Sequence, residues 1–458
     1  MSHQPQRMPG PKGHFLFGHL REYRRDKVAL FLRAMHDYGD MVYLRIGNQH
    51  VCLVSDPESI IKVLQHESHN YKTASSYREL EKLIGQGLVT TAGESWRQHR
   101  TALQPLFRMN NLSPVVTICA ELTRRAIGSW FNGLANAASP IDIYQEMRHL
   151  TMDITSAVLF GSASSIPKDD FNQAFDSAHY YLMQRIESFI KLELPTPARR
   201  AFHRSKHALY TYIDQIIQQH RSASSSCQTM LSAMMQARDE AAGQLFSDRE
   251  LRDEVLTLFL VGYDTTATAL TWLFYLLSQH PEVQAKVEAE VASELHVGAP
   301  TLETLASLTY TASTVEETLR LYPPVWAFSR EAVRDSTLGQ YTIEAGNKVV
   351  ICPYAIHRHP KFWHSPEDFL PERFHRRSPR EHISGSYLPF GLGSRQCLGR
   401  NIATIMLRVI LIMVTQQCRF EPVSGRNPEH RAGVFLKPRH RIYLMPVRIA
   451  DRCDDRDE

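Results

Sequence analysis

One ten-residue window, FGLGSRQCLG at residues 390–399, combines a cysteine with three glycines and an arginine. As a thiolate, Cys397 could bind zinc, a haem iron or an iron–sulfur cluster, or it could act as a nucleophile. Zinc and clusters usually need further ligands close by, and His382 and Cys418 lack ligand-like spacing. A nucleophile would need a partner histidine, which the sequence does not exclude. The window therefore indicates a reactive or ligating thiol.

The glycines and the segment after the cysteine add two constraints. Gly391, Gly393 and Gly399 let the backbone approach a flat group closely and turn sharply. The run RNIATIMLRVILIMV, residues 400–414, predicts a helix whose positive end lies near the thiolate and would hold the pKa of Cys397 down. Both features suit a thiolate that lies against a flat ligand.

The spacing F-x-x-G-x-R-x-C-x-G resembles the haem-ligand signature of the cytochrome P-450 superfamily, and it is filled here by Phe390, Gly393, Arg395, Cys397 and Gly399. The resemblance covers nearly the whole chain. It implies a haem b cofactor whose iron is bound by Cys397, a type of ligand that pushes electron density to favour O–O cleavage. It also implies that the loop around the cysteine binds the cofactor.

Two further motifs stand in the order that this family shows. Glu317 and Arg320 lie one helical turn apart in EETLR, so their side chains can pair. The pair resembles the family's ExxR motif, which also binds an arginine from a later segment, here Arg373 in PERF. The resemblance implies a structural role for these three residues.

An apolar run, LFLVGYDTTATAL at residues 258–270, is interrupted by polar residues. A glycine such as Gly262 costs about 1 kcal/mol inside a helix, and a buried unpaired carboxylate is costly too, so the interruption predicts a function. In the family this helix lies over the haem and widens locally, which implies that Asp264 and Thr265 are catalytic and supply protons. Val261 stands where the family usually has Ala or Gly, and we expect it to narrow the space above the haem.

Further residues match the family's partners for the haem propionates. Trp96 and Arg100 lie in GESWRQHR and resemble its WxxxR motif, whose aromatic ring and cation bind a propionate. Arg330 in FSREA and Arg395 match the other usual partners. Arginine suits this task because its planar guanidinium can pair a carboxylate through two hydrogen bonds.

The family pattern also outlines a substrate pocket. Its side chains are mostly apolar, so we expect a hydrophobic small molecule, and fatty acids, terpenoids, steroids and polyketides are all compatible. The sequence most resembles bacterial fatty-acid and terpenoid or carotenoid hydroxylases, which implies a terpenoid, carotenoid or fatty-acid-like substrate. The expected lining comprises Phe259, Val261, Val325, Phe328, Val434 and Phe435, with the region after Tyr71 and the helices near Leu194.

The elements that must position these residues are mostly helices. Helical spacing of apolar residues predicts helix within 110–161 and over 249–280, the latter after an N-cap at Ser247. Alternating patterns predict a hairpin at 41–47 and 50–56, and strands within 339–355 and near the final HRIYLMPV. We therefore expect a mainly α (α+β) protein with the cytochrome P-450 fold, in which long helices sandwich the haem and small sheets lie at one side.

Composition bounds the class of protein. The chain has 458 residues, 43% hydrophobic and 22% charged, which is typical of a globular protein. A net charge of +4 without a long basic run argues against nucleic acid as a partner. The N-terminus has neither a signal-peptide core nor a long apolar run, so we expect a cytoplasmic protein without a membrane span. We expect one haem-thiolate domain over 1–458, with a Pro/Gly-rich segment at 1–20 and a flexible tail at 450–458.

The leading hypothesis is a monooxygenase that inserts one oxygen atom from O2 into its substrate. Because no flavin or ferredoxin sequence is evident, electrons must come from a ferredoxin with its reductase or from a flavodoxin-type donor. Docking candidates on the cysteine side are Arg97, Arg108 and Arg400. One alternative is a haem-thiolate peroxygenase, isomerase or dehydratase, although such branches commonly lose the acid–alcohol pair. Another is a non-catalytic haem sensor, which leaves the polar interruption at 262–266 unexplained.

Overall fold

Helices dominate the chain. The computed structural model describes residues 8–73, 78–131, 139–161, 168–188, 195–222, 229–239, 243–244, 246–295, 298–375, 383–423 and 428–449. Within these ranges the α-helices are α1 Leu20–Arg25, α2 Lys27–Tyr38, α3 Pro57–Ile61, α4 Arg78–Ile84, α5 Gly93–Leu103, α6 Ser113–Trp130, α7 Ile143–Phe160, α8 Lys168–Glu187, α9 Pro197–Ser222, α10 Met230–Gln236, α11 Asp248–Gln279, α12 Pro281–Glu294, α13 Leu302–Ser307, α14 Thr309–Leu321, α15 Pro353–Ile356 and α16 Arg400–Thr415. None of these helices has the length and apolarity needed to cross a membrane.

The strands are short and form small sheets. They are β1 Met41–Ile46, β2 Gln49–Val54, β3 Tyr71–Thr73, β4 Ile141–Asp142, β5 Arg238–Asp239, β6 Gly243–Gln244, β7 Phe328–Ala332, β8 Ser336–Leu338, β9 Tyr341–Ile343, β10 Lys348–Ile351, β11 Cys418–Pro422, β12 His430–Ala432, β13 Leu436–Pro438 and β14 Tyr443–Arg448. The largest sheet has the order β1-β2-β10-β7-β3, a second has the order β11-β14-β4, and β5-β6, β8-β9 and β12-β13 are two-stranded. The predicted mainly α architecture is confirmed.

Several predicted elements agree with the structure. The hairpin is β1 and β2, antiparallel with Ile46 opposite Gln49. The helix expected at 249–280 is α11, and its N-cap is Ser247, whose hydroxyl accepts from the Glu250 amide while the Glu250 carboxylate accepts from the Ser247 amide. This reciprocal capping satisfies two amides that a helix end leaves free. The predicted tail at 450–458 lies outside the described residues.

Two of the predicted regions each hold two elements. The helix expected within 110–161 is present as α6 and α7, and the chain enters α7 through β4. The strands expected within 339–355 are β9 and β10; β10 ends at Ile351, and Pro353 begins α15. Proline is well tolerated at the first position of a helix because the amide that it lacks would have no intrahelical partner there.

Helix α11 runs between two parts of the core. Its C-terminal half, from Ala267 to Leu277, packs in an apolar cluster with α6, α7, α14 and α16. Its N-terminal half, from Leu251 to Tyr263, belongs to a second cluster with residues of α5, α8 and α9. Leu398, next to Cys397, packs against the second cluster. The core therefore holds α11 and the cysteine loop in one packed unit.

Candidate active site

The cysteine loop is closed by its own backbone. The amide of Cys397 donates to the Phe390 carbonyl at 2.9 Å, and the amide of Gln396 donates to the Gly393 carbonyl at 3.0 Å. Gly393 has φ +78°, and a Cβ atom there would lie 1.9 Å from the carbonyl oxygen of Leu64. Only glycine fits this position, because both the conformation and the close approach exclude a side chain. Gly399 then forms the N-cap of α16.

The thiol of Cys397 is accessible, although protein surrounds it. Desolvation raises the pKa of Cys397, against opposing effects of the Gly399 amide and of the positive charges of Arg100 and Arg400. The prediction that the helix end would hold the pKa down is therefore wrong in its net direction for the free thiol, because burial outweighs the amide and the charges. The same amide and charges would favour a thiolate bound to a cation.

Helix α5 brings a cation, Arg100, and an aromatic ring, Trp96, to this loop. Arg100 Nη1 donates to the Gln396 carbonyl at 2.9 Å, and Arg395 Nη2 donates to the Thr91 carbonyl at 2.9 Å. The Arg395 guanidinium lies 4.2 Å from the centroid of the Trp96 ring. A soft thiol with two guanidiniums and an indole nearby is a donor set that fits a haem with anionic propionates.

Arg330 lies on β7, where Val349 of β10 is its partner in the sheet. Its Nη1 donates to the Ser329 carbonyl at 3.1 Å, and its guanidinium lies 5.3 Å from the centroid of the Phe328 ring. These contacts fix Arg330 in the sheet and do not test its role at a haem. Its predicted role toward a propionate therefore stays a prediction.

The Glu317–Arg320–Arg373 trio is a buried ionic cluster. Arg320 forms two hydrogen bonds with the Glu317 carboxylate, at 2.7 and 2.8 Å. Arg373 Nε donates to the same carboxylate at 3.0 Å, and so does the Leu370 amide at 2.9 Å. The side chains of Glu317 and Arg320 are 0% exposed. A buried charge pair is tolerated when its remaining hydrogen-bond sites are also satisfied, as they are here.

His357 links this cluster to the cysteine loop. Its Nε2 accepts from the Leu388 amide at 2.8 Å, and its Nδ1 lies 3.1 Å from the Arg320 carbonyl. Because an amide can only donate, Nε2 must be unprotonated and Nδ1 must carry the proton. Desolvation lowers the pKa of His357 to about 3. A neutral imidazole therefore holds the start of the loop, a role that the sequence did not reveal.

A His357→Gln variant tests this link through pH. The pKa of His357 is about 3 in the folded protein against an ordinary 6.5, so below pH 6.5 the unfolded chain binds a proton that the folded protein refuses. The contribution of His357 to the free energy of unfolding is therefore complete above pH 6.5 and is lost as pH falls. Between pH 7 and pH 5 the free energy of unfolding should fall by about 2 kcal/mol more in the wild type than in the variant. Urea unfolding at both pH values measures it.

Glutamine suits the test because it can still accept from the Leu388 amide and donate to the Arg320 carbonyl. The exposed His36, which pairs with Asp37 at the surface, provides the control: His36→Gln should keep the wild-type pH dependence. An equal loss of stability in His357→Gln and in the wild type would contradict the assignment.

One stripe of α11 is accessible although the helix is otherwise buried. In the fully described stretch 253–278, the residues that are not buried are Leu258, Val261, Gly262 and Thr265. Their spacing of three and four residues places them on one face of the helix. From these partly accessible residues we infer that the stripe borders an internal space. The sequence predicted this face at Val261 and Thr265, which belong to the stripe.

Thr265 and Asp264 face different surroundings. The Thr265 hydroxyl donates to the Val261 carbonyl at 2.6 Å, which leaves its lone pairs free to accept. Asp264 is buried and accepts from Tyr144 Oη at 2.8 Å and from Lys437 Nζ at 2.7 Å. No described hydrogen bond joins Asp264 to Thr265. The acid is held by other elements, while the alcohol lies on the accessible stripe.

The protonation states around Asp264 follow from burial and charge. Desolvation alone would raise the pKa of Asp264, but the charges and hydrogen bonds of Lys437, His179 and Tyr144 lower it overall. Desolvation lowers the pKa of His179 to about 4, and it raises the pKa of Tyr144. At neutral pH the cluster is thus an ion pair with neutral partners. The sequence did not predict Tyr144, His179 or Lys437, which lie more than 80 residues from Asp264 in the chain.

The predicted pocket residues fall into two groups. Phe259 is fully buried and packs edge-on against Phe171 at 5.0 Å and Phe175 at 4.8 Å between ring centroids. The others are partly accessible, and the turn after Pro324 is tied to the β12–β13 hairpin because the Leu436 amide donates to the Pro324 carbonyl at 2.9 Å. That contact joins the segment that carries Val325 to the hairpin that carries Phe435. The predicted region near Leu194 lies outside the described residues.

Comparison with known proteins agrees with this geometry. A family model described as Cytochrome P450 matches residues 8–445. Cyclooctat-9-en-7-ol 5-monooxygenase of Streptomyces melanosporofaciens is 31% identical over 413 residues, and the alignment covers 90% of this chain and 88% of that protein. Cytochrome P450 4A11 of Homo sapiens is 30% identical, with 99% of this chain and 91% of that protein covered. The solved cytochrome P450DA heme domain aligns with a TM-score of 0.87 at 24% identity, over 96% of this chain and 98% of that one.

Proposed function

Because this chain belongs to the cytochrome P450 family and is a cytochrome P450 monooxygenase, we propose that it binds haem b through Cys397 and oxidises a hydrophobic small molecule. When bound, the haem supplies the activation of O2 from which one oxygen atom is inserted. The observation that carries the proposal is the accessible thiol of Cys397 beside Trp96, Arg100 and Arg395. These residues would hold the iron and the propionates.

The substrate is proposed to be terpenoid, carotenoid or fatty-acid-like. The support is the apolar character of the accessible residues Val261, Val325, Phe328, Val434 and Phe435, and the terpene alcohol in the name of the Streptomyces relative. Apolar side chains bind such molecules by removing their surface from water. Titrating a panel of terpenes, fatty acids and steroids and measuring the shift of the haem spin state tests this. A panel of small polar acids should give no shift.

Electrons are proposed to come from a ferredoxin with its reductase or from a flavodoxin-type donor. Arg97 and Arg400 are exposed on α5 and at the start of α16, the two helices that flank the cysteine loop. Arg108, just after α5, is exposed as well. Positive charge here would steer an acidic electron carrier toward the cysteine side. Reduction should therefore slow as ionic strength rises.

We propose that Thr265 and Asp264 manage proton delivery. The Thr265 hydroxyl lies on the accessible stripe and can accept a hydrogen bond there. Asp264 is buried, but its partner Lys437 has a side chain 29% exposed, which connects the carboxylate to solvent. A proton would enter past Lys437 and Asp264, and Thr265 would orient it in the internal space. Tyr144 and His179 would position the carboxylate.

Thr265→Ala tests this role and distinguishes the proposed O2-dependent monooxygenase from an enzyme that is driven by peroxide. Product per electron pair should fall by about tenfold or more, with hydrogen peroxide released instead, because positioned proton transfer typically contributes at least ~100-fold. Product, peroxide and NAD(P)H are measured in one assay. Thr266→Ala is the matched control, because Thr266 donates to the Gly262 carbonyl in the same way but is buried. Unchanged coupling in Thr265→Ala, or turnover faster with peroxide than with electrons, would count against the proposal.

A further inference from the structure

The N-terminal segment presents three consecutive apolar side chains to solvent. Phe15 is 77% exposed, Leu16 59% and Phe17 57%; residues 15–17 are called the apolar tip below. The other large apolar side chains that are exposed in the described part of the chain are isolated in sequence: Tyr38, Met109, Tyr180, Val333, Leu370, Ile383, Val423 and Tyr443. A contiguous apolar surface usually marks an interaction site, whereas single exposed apolar residues are ordinary.

The backbone holds the apolar tip in place from both sides. His14 and Gly18 exchange hydrogen bonds at 3.0 and 2.8 Å, which close a loop of five residues. Arg45 Nη2 donates to the carbonyls of His14 and Phe15 at 2.6 and 2.5 Å. The Gly47 amide donates to the Phe17 carbonyl at 3.1 Å. The tip is therefore fixed to the β1–β2 hairpin.

The His14 imidazole organises the side chains of the tip. Its Nδ1 accepts from the amides of Leu16 and Phe17 at 3.3 and 3.4 Å. Its ring centroid lies 4.6 Å from that of Phe15 and 5.5 Å from that of Phe17. The two phenyl rings thus share one support. A preorganised tip loses little conformational entropy when it is buried by a partner.

Basic residues flank the tip. Residues 8–25 contain four Lys or Arg and one acid, which gives 4 − 1 = +3. The acid, Glu22, is paired with Arg33 at 3.3 Å. The basic side chains are all exposed: Lys12, Arg21, Arg24 and Arg25. An exposed apolar tip with basic residues on both sides of it in the sequence complements a surface that has an apolar interior and negatively charged outer groups.

We propose that the apolar tip inserts into the interfacial region of a lipid bilayer with anionic headgroups, with the flanking basic residues against the phosphates. Three side chains on one short loop bury far less than the ~800 Å² per partner of a standard protein interface. A loop of this size suits the ~5–10 Å depth to which interfacial segments enter a bilayer. The contact is peripheral and independent of the haem chemistry. It would keep the enzyme next to the phase in which hydrophobic substrates dissolve.

Vesicle sedimentation of the haem-loaded full chain tests the proposal. We expect binding to equimolar phosphatidylglycerol–phosphatidylcholine vesicles to be at least about tenfold stronger than to phosphatidylcholine alone, and to weaken in high salt. The variant Phe15→Ser/Leu16→Ser/Phe17→Ser should bind at least about tenfold less. Ile383→Ser is the matched control, because it removes another apolar side chain, 53% exposed, from a different part of the surface; its binding should equal that of the wild type.

A second measurement does not depend on disrupting the tip. Phe15→Trp keeps an aromatic side chain there, and brominated lipids should quench its emission beyond any quenching of the wild type. Equal sedimentation of the triple Ser variant and the wild type, or no added quenching in Phe15→Trp, would overturn the proposal. The proposal would also be overturned if light scattering showed a dimer of the wild type that the triple Ser variant does not form, while the wild type did not bind vesicles. All variants should keep the wild-type haem spectrum, so these outcomes are separate from those that test the proposed function.

Discussion

Cys397→Ser should abolish the thiolate-type spectrum of the reduced, carbon monoxide-bound protein and reduce turnover by at least about a thousandfold, or about 4 kcal/mol of activation free energy. A serine hydroxyl is a harder and much less acidic donor, so it cannot replace the electron-rich thiolate ligand. The thiol is accessible, and serine is close to cysteine in size. The fold should therefore survive. Difference spectroscopy and circular dichroism measure the two effects.

Cys352→Ser is the control for this experiment. Cys352 is buried, and its thiol donates to the Trp326 carbonyl at 3.3 Å, a contact that a serine hydroxyl can keep. Its spectrum should match that of the wild type. An unchanged red-shifted Soret band in Cys397→Ser would refute the assignment of the ligand.

Glu317→Ala should destabilise the protein by about 3–5 kcal/mol, because it leaves buried guanidinium groups without their carboxylate. Arg320 loses two hydrogen bonds and Arg373 loses one. His357 and the start of the cysteine loop rest on the same cluster, so haem content should fall as well. Urea unfolding and the ratio of haem to protein absorbance test both effects.

Glu421→Ala supplies the comparison. Glu421 pairs with Arg419 at 3.0 Å, and their side chains are about half exposed. Exposed pairs typically contribute 0–1 kcal/mol, roughly, because water screens them. A loss of less than about 1 kcal/mol in Glu317→Ala, near the value for Glu421→Ala, would show that the cluster does not support the fold.

The sequence-based predictions were most accurate for features that a short stretch of residues encodes. The spacing around Cys397 and the N-cap of α11 are local patterns, so they could be read directly. The approach of Arg373 to Glu317 is a contact between distant segments, and the family resemblance supplied it. The roles of individual residues at the haem and in the pocket rest on the family resemblance and stay predictions.

The remaining features depend on tertiary contacts between distant segments. Lys437 in its short strand and Tyr144 in its helix carry no motif, and only the packing of the β12–β13 hairpin and α7 against α11 brings them to Asp264. His357 likewise becomes informative only when Leu388 is known to lie beside it. The pKa of Cys397 was predicted in the wrong direction because the degree of desolvation is a property of the folded site.

The fit of Gly393 against Leu64 has a consequence for the order of folding. These residues are more than three hundred positions apart in the chain, yet the loop backbone lies where a single added carbon would meet the Leu64 carbonyl. Forming such a contact carries the entropic cost of bringing distant segments together. During synthesis Leu64 emerges long before residue 393. The cysteine loop can therefore be completed only after residue 393 has been synthesised, and under the proposed function the cofactor would be captured after that point.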